Sequence, residues 1–180
     1  MSLVVRVATE QDIPSLERLI PESVRALSTG YYTDCQIESA LVHIFGVDSQ
    51  LIADGTYYVA VAGDQVVGCG GWSKRQTLYG GDQMKGKADP LLVPIQDAAR
   101  IRAFFVHPRW TRQGIGRRII EACEAAACQD GFRSMELGAT LPGEPLYAAM
   151  GYTVTSRFDI VMPDGESLPA AHMVKSLLRE

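Results

Sequence analysis

The run Arg112-Gln113-Gly114-Ile115-Gly116-Arg117 follows an extended segment, Arg100 to Pro108, and leads directly into a helical pattern. Two glycines let the main chain approach a ligand without a Cβ in the way. The first turn of a helix offers unpaired N–H groups and a positive dipole end to the same spot. The run therefore has the chemistry of a pyrophosphate cradle made of main-chain donors. Two familiar phosphate loops can be tested against it. A P-loop needs Lys and then Ser or Thr after its last glycine, whereas Gly116 is followed by Arg117 and Arg118. A dinucleotide fingerprint needs a third glycine three residues after the second, and that position is Ile119. Glu136 stands about 20 residues on, where an acidic ribose ligand would sit, but the incomplete glycine pattern makes it a decoy.

With its surroundings, the run carries a family resemblance. Ile101-Arg102-Ala103-Phe104-Phe105-Val106-His107-Pro108, then Thr111 to Gly116, then Leu146-Tyr147-Ala148-Ala149-Met150-Gly151-Tyr152 resemble the GNAT superfamily of acetyl-CoA-dependent N-acetyltransferases, closely over residues 100 to 152 and loosely elsewhere. The strand-and-loop segment or the Tyr-bearing segment alone is a weak signal, and the two in this order and spacing make a specific one. The resemblance implies that the main chain of Arg112, Gln113, Gly114, Ile115, Gly116 and Arg117 binds the pyrophosphate of acetyl-CoA, the co-substrate. It also implies that Phe104, Phe105 and Val106 pair with the pantetheine arm like an added strand, and that Tyr147 protonates the departing thiolate. A tyrosine hydroxyl is protonated at neutral pH and suits that task.

The chain departs from the family pattern at two places. Thr111 stands where the family usually has Arg or Gln, so a side-chain contact to phosphate falls to Arg112 or Arg117. Pro142 stands where many members have an Asn that helps bind the coenzyme arm, which moves that role to main chain or to Thr140. The general base is not identified: the strand ahead of the loop offers Arg100 and Arg102 in place of an acid. Alternation puts both on one face, where they could grip a substrate carboxylate or phosphate or serve as edge charges and ion pairs. Water-mediated proton removal leaves Asp97, His107 and Glu144 as candidates. Tyr31, Tyr32 and Trp72 are the aromatics that could line an acceptor pocket, or pack ordinarily.

The elements that must position these groups follow from periodicity. Leu3 to Val7 reads as a strand, and Thr9 opens a helix that runs to about Leu27, with Pro21 expected to kink or break it. A second helix starts at Thr33 or Asp34 and presents Ile37, Leu41 and Ile44. Residues 56–62 and 65–72 form a hairpin around Gly63-Asp64. Residues 73–98 form a long polar, Gly-rich connection that is either a lid or floppy. Strand 100–106, helix 114–128, strand 133–137, short helix 145–150 and strands 152–162 and 168–176 complete an α/β chain. They fit the GNAT fold of a central mixed sheet flanked by helices, with a parallel crossover in the middle.

The 180 residues suit one domain spanning 1–180, and 47% hydrophobic content is that of a globular chain. A net charge of −4 supplies no basic stripe for nucleic acid. The four cysteines form no C-x-x-C pair and no metal-ligand spacing with the three histidines, so no metal is expected and the thiols read as buried hydrophobes of a reduced compartment. The start of the chain has no signal pattern and no apolar run is long enough to span a membrane, which predicts a cytoplasmic protein without a membrane partner. The expected activity is transfer of an acetyl group to a primary amine of a small molecule. A protein or peptide acceptor and a non-catalytic acyl-CoA sensor are the alternatives. The resemblance allows a homodimer.

Overall fold

The computed structural model describes residues 2–86 and 88–179. Seven strands form one sheet in the order β1-β2-β3-β4-β5-β7-β6. They are β1 (Leu3–Val7), β2 (Tyr57–Ala62), β3 (Gln65–Ser73), β4 (Ala99–Val106), β5 (Ser134–Thr140), β6 (Thr153–Val161) and β7 (Ser167–Ser176). Every neighbouring pair is antiparallel except β4 and β5. Helices α1 (Ile13–Ser28), α2 (Asp34–His43), α3 (Ser49–Ala53), α4 (Ile115–Gln129) and α5 (Glu144–Ala149) cover the sheet, giving the mixed α/β architecture that the element order implied.

The sheet divides two apolar cores. Ile115, Ile119, Ile120 and Cys123 of α4 pack with Met135, Leu137 and Ala139 of β5 on one side. Leu16, Leu19, Ile20 and Val24 of α1 pack with Ile37, Ala40 and Leu51 on the other. The helical spacing of those apolar positions puts each set on one face.

Pro21 does not break α1, which is continuous over 16 residues. It lies among Glu17, Arg18 and Glu22 on the outward stripe. The Glu17 carbonyl that Pro21 deprives of a partner can there be hydrated, so the usual penalty shrinks. Helix α3 is the element that the sequence pattern did not predict. Its five residues are too short to show a period, and Asp48 caps it by accepting from the N–H groups of Gln50 (3.1 Å) and Leu51 (3.3 Å).

The connection between β3 and β4 is held against the α2–α3 region. Gly81 N–H donates to the Ile44 carbonyl (2.7 Å) and Asp82 N–H to that of Val47 (3.0 Å). Arg75 pairs with Asp54 at 2.8 Å, and Thr77 N–H donates to the Asp89 carboxylate (2.9 Å). Among the described residues, no helix is long and apolar enough to cross a membrane.

Candidate active site

Strands β4 and β5 pair only at Ala99–Met135 and Arg100–Glu136. Beyond that point they diverge, opening a fork at the carboxyl ends of the two parallel strands, where open α/β sheets place their ligands. The divergence has a local cause in β4. Between Arg102 and Phe105 the strand carries one residue more than β3 does opposite, and Ala103 adopts φ 54°. This is a bulge, which bends the strand and re-aims its side chains. Buried Tyr57 secures it by donating its hydroxyl to the Ala103 carbonyl (2.8 Å). As a result Phe104 packs on the α4 side, edge-on to Tyr147 with centroids 6.1 Å apart, and Phe105 meets Phe45 on the α2 side at 5.9 Å.

Alternation turns the main-chain groups of Phe104 and Val106 toward the fork, consistent with an arm pairing there. The Val106 N–H is already engaged by Ser23 Oγ of α1 (3.2 Å), which leaves its carbonyl for such an arm.

At the mouth of the fork, the seven consecutive N–H groups of Thr111 to Arg117 donate no hydrogen bond among the described residues, and the series resumes with Arg118 N–H to the Gly114 carbonyl (3.0 Å). Arg112 (φ 63°) and Gly114 (φ 79°) both lie in the left-handed region, which curls the backbone into a concave nest of donors. The two glycines have different roles. Gly114 supplies a conformation that other residues resist, with open space where its Cβ would be. A Cβ on Gly116 would stand 2.6 Å from Leu146 Cδ2, so its absence brings the start of α4 against α5. Thr111 Oγ1 donates to the Pro108 carbonyl (3.2 Å), which shapes the turn, while Arg112, Gln113 and Arg117 are exposed.

Helix α5 carries Tyr147 into the α4-side core, where it touches Phe104 and Tyr152. Burial pushes its hydroxyl well above the usual tyrosine range, so it is a proton donor at neutral pH. Among the described residues that hydroxyl has no hydrogen-bond partner, and it is not one of the polar atoms closed off from solvent. Thr140, at the end of β5, accepts the Gly143 N–H on its Oγ1 (3.3 Å) and so folds the loop ahead of α5.

The residues expected to meet the acceptor are not brought together. Arg102 is 2% exposed and pairs with fully buried Asp48 at 2.8 Å. It also donates to the carbonyls of Thr77 (3.1 Å) and Gly80, and its guanidinium is therefore spent inside the protein. Tyr32 is buried, and its hydroxyl donates to the Pro169 carbonyl (2.6 Å) while accepting the Leu141 N–H (2.9 Å). Trp72 lies in the α4-side core, edge-on to Phe132. Tyr31 stands half-exposed after α1.

Each base candidate holds at least one partner. Asp97 caps Val93 N–H (2.7 Å). Glu144 pairs with Arg157 (2.6 Å). His107 Nδ1 accepts the Arg109 N–H (3.1 Å) in its turn and its Nε2 lies 3.3 Å from Glu22.

What the sequence reading missed lies at the apex of the fork. Glu136, the last residue of β5 paired to β4, contacts Arg100 through one carboxylate oxygen. Its other oxygen is 3.0 Å from His172 Nε2 on β7. His172 Nδ1 is in turn 2.6 Å from Thr155 Oγ1 on β6. Pairing Gly138 with His172 in the β5–β7 register fixes this proximity. The signal available beforehand was Glu136 itself, at alternating spacing with Gly138 and Thr140. Nothing local linked it to a histidine 36 positions on. Beside this group, Tyr79 stacks on Phe158 (5.8 Å, 26°) over the bare backbone of Gly138. Among the described residues, no three His, Cys, Asp or Glu side chains gather as a metal site.

Residues 53–154 match the family model described as an acetyltransferase (GNAT) domain. Solved structures agree in fold. A GCN5-related N-acetyltransferase of Rhodopseudomonas palustris is 21% identical, with a TM-score of 0.71 over 98% of this chain and 96% of its own. The PaiA N-acetyltransferase of Thermoplasma acidophilum, in complex with coenzyme A, is 14% identical, with a TM-score of 0.65 over 98% and 99%. YncA of Salmonella typhimurium, with its cofactor acetyl-CoA, is 16% identical, with a TM-score of 0.65 over 100% and 96%. Among curated proteins none matches.

Proposed function

Since the chain belongs to the GNAT acetyltransferase family, we propose that it moves the acetyl group of acetyl-CoA directly to a primary amine of a small molecule. The observation that carries this reading is the row of seven amides at the mouth of the fork that have no partner among the described residues. A diphosphate accepts such donors, and the positive end of α4 adds to the attraction. The fork beside β4 then receives the amide-bearing arm in extended form, as a sheet edge receives a strand.

The carrier supplies an activated acyl group, and the protein holds it still, receives the amine and protonates the sulfur. Tyr147 is the donor: its hydroxyl is protonated, lies in an apolar surround and has no partner among the described residues. The small acceptor is our choice between acceptors: the Tyr79–Phe158 stack lies over Gly138 of β5, and small ligands are commonly held by aromatic side chains and a few polar groups.

An amine panel assayed by thiol release from acetyl-CoA tests the reading. Tyr147→Phe is expected to lower kcat by about a hundredfold or more while leaving acetyl-CoA affinity nearly unchanged. Binding without turnover on any amine, and indifference to Tyr147→Phe, would convert the protein into an acyl-CoA sensor.

A further inference from the structure

We infer that Glu136 is the proton acceptor of the transfer and that His172, itself held by Thr155, positions it. The inference rests on the acetyl-transfer reading and supplies the group which that reading leaves open.

Three observations converge on Glu136. It stands at the apex of the fork, where the two parallel strands part, so a thioester lying in the fork points toward it. Its carboxylate is partly open, with the side chain 21% exposed. Arg100 and His172 take one direction on each oxygen, and a carboxylate has about four acceptor directions, so an ammonium can still dock.

The chain behind Glu136 has room for one more proton. A carboxylate only accepts, so in the neutral imidazole Nε2–H donates to Glu136 and Nδ1 receives the Thr155 hydroxyl. Thr155 Oγ1 also lies 3.3 Å from the His172 carbonyl. When Nδ1 gains a proton, the hydroxyl can turn to that carbonyl and accept from Nδ1–H, with no heavy atom moving. Thr155 owes its reach to the irregularity in β6 between Val154 and Ser156, and it is exposed, so the chain ends in solvent.

Besides each other, Glu136 and His172 meet the charged Arg100 from β4, while β6 brings the uncharged Thr155 and the phenol of Tyr79 stands beside them over Gly138. Arg157 of β6 is engaged by Glu144.

In the step, an N–H bond of the acceptor ammonium breaks and its proton passes to Glu136. The freed electron pair forms the N–C bond at the thioester carbonyl, and the C–S bond breaks toward sulfur. Tyr147 gives its hydroxyl proton to the thiolate and regains one from the nitrogen. Glu136 then gives its proton to water on the open side of its carboxylate, since His172 Nε2 already carries a proton and cannot relay it. Ammonium and thioester become amide, thiol and one released proton.

The test is the pH profile of kcat/KM for wild type, Glu136→Gln, His172→Gln and Tyr147→Phe, with acetyl-CoA affinity measured separately by calorimetry. Glu136→Gln is expected to lose about 10²- to 10⁴-fold in kcat/KM with acetyl-CoA affinity within about twofold, and to recover steadily toward alkaline pH as free amine accumulates. His172→Gln, which keeps a donor toward Glu136, is expected to move the acid limb of the profile, an effect that a purely structural histidine would not have. If either variant misfolds, the other still decides, because each must change the acid limb. Wild-type transfer with an unchanged profile in Glu136→Gln or His172→Gln overturns the inference and leaves the acetyl-transfer reading standing. Wild-type binding of acetyl-CoA without transfer to any amine overturns both.

Discussion

At the scale of single residues, charge buried inside the protein is the largest liability. Asp48 is fully buried and serves three partners: the capped N–H groups of α3, Arg102, and Lys85 from the β3–β4 connection. Burial lowers the Arg102 guanidinium from its ordinary range, and Asp48 opposes that shift. Removing one member of a buried pair strands the other, at a cost of about 3–5 kcal/mol. Arg102→Met should therefore lower unfolding free energy by that order in urea titration, and a loss below about 1 kcal/mol would mean that Lys85 alone neutralises Asp48. Residue type made Arg102, Tyr32 and Trp72 visible in the sequence as site candidates, but not their partners, which come from distant elements. The thiols divide in the same way. Cys69 and Cys123 are buried, Cys35 and Cys128 exposed, and burial pushes the Cys69 thiol up to about 12. A thiol reagent at neutral pH should modify Cys35 and Cys128 in the native protein and reach the other two only after denaturant. The unfolded Cys69 thiol ionises near 9 and the folded one near 12. The unfolded state therefore sheds its proton first, and this thiol's contribution to stability falls as pH rises from about 9 toward 12.

At the scale of elements, the loop before α4 was legible and the fork was not. Gly114 and Gly116 announce a turn into a helix, and among the described residues the amides of residues 111–117 have no partner. The bulge at Ala103 has no comparable signature. An alanine with φ 54° looks in sequence like any other alanine, and the strain is sustained by a tyrosine 46 residues away. The Glu136–His172 contact is hidden for the same reason, since strand register decides it. Hydrogen exchange separates cradle from ordinary turn: the seven amides should exchange fast in the free protein and slow markedly with acetyl-CoA bound. Equal exchange in both states would remove the anion site. Gly114→Ala should cost about 1–2 kcal/mol through its positive φ and weaken acetyl-CoA binding, with no clash to blame because the space at its Cβ is open.

At the scale of the whole molecule, the fork is where the sheet is least continuous. Strands β1 to β4 and the trio β5, β7 and β6 are joined through two residue pairs, with α4 linking them along the chain and packing on both through the core it shares with β3 and β5. A ligand lying between β4 and β5 would add main-chain hydrogen bonds where the ladder stops, and its diphosphate would satisfy donors that the fold leaves empty. Both gains exist in the native state alone, so by linkage they appear as global stability. At a hundred times its dissociation constant, acetyl-CoA should add about 2.7 kcal/mol, which for a chain of this size raises the melting temperature by about 5–10 °C. Coenzyme A without the acetyl group should give most of the same shift, because the diphosphate and arm make the bridging contacts. Inorganic pyrophosphate should give only a small part of it, since it fills the cradle and leaves the strands apart. A shift from pyrophosphate equal to that from acetyl-CoA would mean that the amides act alone and the fork receives nothing. No shift from any of the three would show that the gap in the sheet is not a binding site.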